Sequence, residues 1–129
     1  MGAWGAGPFD NDDAADWAYL LTDDANDSVV RDALVAVVGG SADARAASAA
    51  VGAAAIVAAG AGRPGGDLPR EVRAWIDARR DDRWSALLPT AVAALDAVLA
   101  DSELAELWAE SGDGAWLEAV ADLRGRLAG

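Results

Sequence analysis

The sequence predicts an all-α fold, a compact array of about six or seven helices with a Gly-rich N-terminal loop, and three observations carry that expectation. Apolar residues recur at helical spacing in one segment after another. No segment alternates apolar and polar positions with period two among β-branched residues, and even the Val-rich run at residues 28–38 fits a helix better than a strand. Gly, Pro, Asp, Asn and Ser fall between the apolar stripes, where helices start and stop. At 129 residues, 53% of them hydrophobic, the chain can bury one core and is too short for two, so a single helical domain over residues 1–129 is expected.

Residues 1–11 open the chain as a structured loop, because Gly2, Gly5, Gly7 and Pro8 suit neither a regular helix nor a central strand. Asp10 or Asn11 then caps a first helix over residues 12–21, with Ala14, Trp17, Ala18 and Leu21 on one face and Asp12, Asp13 and Asp16 near the positive end of its dipole. Asp27 or Ser28 caps a second, with Val30, Ala33, Leu34, Val37 and Val38 as its apolar stripe and Gly39-Gly40 as its stop. Ser41 is the expected cap of a third helix over residues 42–59. This one is apolar on nearly every face after Arg45, the pattern of a helix surrounded by others, and its small side chains permit close approach.

Residues 60–67, glycine-rich with Pro64, read as an internal loop. Pro69 suits the first turn of a fourth helix, in which Val72, Trp75 and Ile76 share a face. Asp81-Asp82 lead into the longest clean stripe, Leu88, Ala91, Val92, Leu95, Val98 and Leu99, whose helix is placed to start near Pro89. Ser102 caps a short sixth helix with Leu104, Leu107 and Trp108 inside and Glu103, Glu106 and Glu110 outside. A last helix carries Trp116, Val120, Leu123 and Leu127.

Composition excludes much chemistry. With no Cys there are no disulfides, thiolate nucleophiles or Cys-ligated metals, and with no His the commonest general base and metal ligand is missing. The six serines lie outside any G-x-S-x-G elbow, and no phosphate-binding glycine motif follows a strand, so neither a hydrolase nor a nucleotide site is legible. No cofactor is expected, and an enzyme is disfavoured. A formal charge of −12 makes nucleic acid and anionic membrane surfaces repulsive partners. The start has no basic region followed by an apolar run, and Ala6 stands where a myristoylation motif wants Ser or Thr, so the expected location is cytoplasmic. The richness in Ala, Gly, Asp and Arg matches the coding bias of a GC-rich bacterial genome.

One stretch carries a signature. Met1-Gly2-Ala3-Trp4-Gly5-Ala6-Gly7-Pro8-Phe9-Asp10-Asn11-Asp12-Asp13-Ala14-Ala15-Asp16-Trp17 resembles the opening M-G-x-W-G-x-G-x-F-x-N-D-x-A-x-D-W of a bacterial family classified as a domain of unknown function, DUF4259. The likeness is specific over these residues and looser over the total length and residues 102–108. Pro8 stands where relatives often have a polar residue and Asp10 where Glu is common, which bears on loop shape. The resemblance implies no activity, cofactor or catalytic residue.

Read physically, these residues have two competing uses. In the structural one, Trp4 and Phe9 plug the end of the helical array, the glycines adopt positive φ, and Asn11 and Asp12 satisfy orphan amides. In the functional one, Trp4, Phe9, Asn11, Asp12, Asp13 and Asp16 line a groove for a ligand or partner. The aspartates offer oxygen ligands suited to Mg²⁺ or Ca²⁺ but lack the glycine and distal Glu of an EF-hand, so no metal ligand is assigned.

Charge is uneven along the chain. Residues 1–61 hold nine acids and two arginines, residues 96–129 eight and two, and residues 67–83 five of each. Arg70, Arg73, Arg79, Arg80 and Arg83 are placed to dock on the acidic N-terminal helix within the fold; left uncovered, the acidic ends would instead attract a basic protein. The leading functional expectation is a non-enzymatic protein-interaction module that binds a basic partner, an immunity protein against a basic toxin being one concrete form. The alternatives are a small-molecule or divalent-metal binding module centred on the N-terminal Trp/Asn/Asp motif, and an oligomeric role that would show as an apolar patch on the 88–99 face.

Overall fold

In a computed structural model of the chain, residue 17 and residues 28–40, 43–62, 70–78, 84–100, 102, 105–106, 109–110 and 114–128 are described. Among them lie five α-helices, α1 (Ser28–Val38), α2 (Ala44–Gly60), α3 (Arg70–Asp77), α4 (Leu88–Ala100) and α5 (Ala115–Ala128), with a 3₁₀ turn at Trp84–Leu87. The described residues include no strand, in keeping with the all-α expectation. The helix count expected from periodicity was slightly higher. Of its first helix, residues 12–21, only Trp17 is described, and it is helical; of its sixth, residues 105–106 and 109–110 are helical.

The organising element is α2, which touches every other helix of the five and the 3₁₀ turn. Its buried residues run without a break from Ala50 to Ala58, with Ala47 and Ser48 a turn earlier. A face-by-face alternation is absent because over residues 50–58 no face meets water, as the all-round apolar pattern requires. Alanine serves two ends here: it has the best intrinsic helix propensity, and its single methyl lets neighbouring backbones come close. Around α2, α1 and α4 pack on it and on each other, while α5 closes over α2 and α4. The large side chains fully enclosed by this arrangement are Leu34 of α1, Ile56 of α2, Leu95 of α4 and Leu123 of α5.

Helix ends follow local chemistry. Gly39 and Gly40 donate to the Val35 and Val37 carbonyls, and Gly40 sits at φ 115°, a conformation open to glycine and strained for L side chains. The cap of α2 corrects the expectation. The helix begins at Ala44 rather than residue 42, and its cap is Asp43, whose Oδ1 accepts from the Ala46 amide at 2.7 Å. A carboxylate serves this position as well as a hydroxyl and adds a favourable charge–dipole term. At the other end α2 extends to Gly60, a residue the sequence assigns to a loop, and the chain turns at Ala61 and at Gly62, with φ 84°. Pro89 is the second residue of α4, where its missing N–H costs nothing, as expected of a proline near a helix start.

Two parts of the expected core pattern shift. Val38, at the edge of the α1 stripe, is half exposed, and so is Val35. The face of α4 considered for oligomerisation is core: Ala91, Leu95 and Val98 are buried with Ala94, and Leu88, Val92 and Leu99 pack against them. That face is therefore taken up inside the protomer.

Candidate functional site

Trp4, Phe9, Asn11, Asp12, Asp13 and Asp16, the residues the sequence nominates, lie outside the described residues, as does the whole loop at 1–11. Trp17, which closes the same motif, is described: it is helical, partly buried and packed against the hydrophobic core. The motif is thus anchored at its C-terminal end by an aromatic side chain on the helical array. Of the six tryptophans, Trp75, Trp84 and Trp116 are buried core residues.

The junction between α4 and the residues that follow is built on one hydroxyl. Ser102 is buried, its Oγ donating to the Val98 carbonyl at 2.7 Å and accepting from the Ala105 amide at 3.0 Å. The first bond satisfies one of the last four carbonyls of α4, which have no helical donor, and the second satisfies an orphan amide of the next helical turn. Ser102 is thus the cap the sequence indicates, with a second role as α4's C-terminal donor that a cap motif does not reveal. Ser102→Ala is expected to lower stability by about 1–2 kcal/mol, read as a shift of the urea midpoint at unchanged slope. An unshifted midpoint would mean that water replaces both partners.

On the outward faces of the described helices exposed acids outnumber exposed arginines, which are Arg31, Arg45, Arg70 and Arg73. Asp32, Asp43, Glu71, Asp77, Glu106, Glu110, Glu118 and Asp122 are all exposed. Among the described residues, ion pairs join Arg124 to Asp96 across α5 and α4, with Nε to Oδ1 at 2.5 Å and a second contact from Nη2 to Oδ2 at 3.2 Å, and Arg126 to Asp122 one turn earlier on α5. The second pair is an i,i+4 spacing visible in the sequence; the first joins residues far apart in the chain and has no local signal. The arginines expected to dock on the N-terminal helix, Arg70 and Arg73, are exposed on α3, and Arg79, Arg80 and Arg83 lie outside the described residues.

The two-point hydrogen bond from Arg124 holds the Asp96 carboxyl below the usual carboxylate range against a smaller opposing effect of desolvation, and the same bond raises the Arg124 guanidinium further above neutrality. Because the folded Asp96 value is depressed, its contribution to stability is present above the unfolded carboxylate value and is lost as pH falls through the folded one. Both side chains are about half exposed, so that contribution is small. Carboxyl-resolved NMR titration is expected to find Asp96 titrating below a typical aspartate and moving up in Arg124→Ala. Identical titrations in the two proteins would show that the pair does not persist in solution.

Among the described residues, no three acidic side chains gather in a way that would hold a metal ion, and no helix is long and apolar enough to cross a membrane. The described geometry defines a class, a small all-α protein wrapped around one buried, alanine-rich helix with carboxylates on its outer faces. The particular family follows from its sequence: residues 2–119 match the family described as "Domain of unknown function (DUF4259)", and the chain belongs to it. This is the family that the opening seventeen residues resemble. No curated protein and no solved structure matches the chain.

Proposed function

We propose that this protein is a non-enzymatic bacterial interaction module that acts in the cytoplasm and receives a basic protein partner on its acidic surface, with immunity against a basic toxin as the concrete form of that role. The observation that carries the reading is the way the charge of −12 is laid out: residues 10–30 contain seven aspartates and no basic residue, and residues 84–123 contain eight acids and no basic residue. Stretches of one sign with no interleaved counter-charge build a field that steers an oppositely charged protein and repels nucleic acid. The absence of His, Cys and Lys from the sequence supports a binding role over a catalytic one.

Self-repulsion follows from the same layout. The thermal midpoint is expected to rise by several degrees between 0.01 M and 1 M NaCl, as the screening length contracts from about 30 Å to about 3 Å. A flat or falling midpoint would mean that the carboxylates are already neutralised within the fold.

The binding test compares the tagged protein with an Asp12→Ala/Asp13→Ala/Asp16→Ala variant, first shown by circular dichroism to be equally helical, in affinity capture from the native cell. The expected result is a basic protein retained by wild type and lost by the variant, with an association rate that falls steeply with salt. Retention of no basic protein, or retention indifferent to both the variant and salt, would overturn the reading. In that event calorimetry of the same two proteins with Mg²⁺ and Ca²⁺ tests the remaining use of Trp4, Phe9, Asn11, Asp12, Asp13 and Asp16, a metal or small-molecule site.

A further inference from the structure

We draw no further inference here: the strongest candidate, the exposed surface patch of Leu117, Ala121, Gly125 and Ala128 along the outer face of α5, carries nothing because it is a stripe of small residues with a single large apolar side chain and nothing in the structure shows what covers it.

Discussion

Gly60→Ala is expected to destabilise the protein by about 2 kcal/mol or more, although adding a methyl to a helical glycine ordinarily stabilises by up to about 1 kcal/mol. The reversal comes from Trp84. A Cβ built on Gly60 would lie 2.4 Å from Trp84 Cγ and 2.5 Å from Cδ1, inside any real carbon–carbon contact, so the last turn of α2 rests directly on the indole face. The ring has little room to yield. Trp84 is 2% exposed and meets Trp75 edge-on with centroids 5.9 Å apart, an arrangement that itself contributes about 0.5–1.5 kcal/mol beyond area burial. Relief must come from moving the end of α2 or the 3₁₀ turn, and both are held by the core.

The partner substitution makes the argument sharper. Trp84→Ala alone should cost about 3–5 kcal/mol, through lost burial and the cavity left behind. In that background the obstacle to Gly60→Ala is gone, and the second substitution should become neutral or stabilising. Four proteins and a urea series give the coupling free energy, whose expected sign is favourable for the double variant relative to the sum of the singles. Simple additivity, or a stabilising Gly60→Ala in the wild-type background, would show that Trp84 does not sit on α2 in solution.

The same residue pair shows where sequence reading stops. Glycine next to glycine and proline, as in residues 60–66, is ordinary loop punctuation, and a local rule assigns Gly60 to the loop. Its actual use depends on a tryptophan that arrives from a separate element, and nothing near Gly60 in the sequence announces it. The Asp96–Arg124 pair was hidden for the same reason. By contrast, the end of α1 was legible, because the Gly39-Gly40 stop is local, and the buried faces of α3 and α5 followed from spacing alone. Asp43 shows an intermediate case: Ser41 and Asp43 both suit a cap by residue type, and the helix that begins at Ala44 is capped by the Asp43 carboxylate. Val38 was placed in the core by a periodicity that holds within a helix, but at the last residue of α1 it lies at the edge of the stripe and stays half exposed. Trp4, Phe9, Asn11, Asp12, Asp13 and Asp16 are nominated by a sequence motif and lie outside the described residues; of their neighbourhood, Trp17 is the described part, and it packs on the core.

Ala54→Leu is expected to destabilise the protein by about 2–3 kcal/mol through overpacking around α2. An alanine on an ordinary amphipathic helix accepts a leucine readily, since both have high helix propensity and the added carbons can turn toward solvent. Ala54 has no such side. It is 0% exposed, and the four residues on each side of it, Ala50 to Ala58, are buried as well, so each direction around α2 is taken by packed atoms. Interiors at crystal-like density hold few voids larger than a water molecule, and three extra carbons must displace α1, α4 or α5. The matched control is Ala74→Leu on the exposed face of α3, where the same change should fall within about 0.5 kcal/mol of wild type. Urea unfolding of both variants reads the contrast directly. A large midpoint shift for Ala54→Leu with none for Ala74→Leu is the expected result, whereas two small shifts would mean that α2 lies at a surface and that the helices around it do not enclose it. That outcome would also remove the reason for its composition, because a helix with an open face has no need to be alanine on every side.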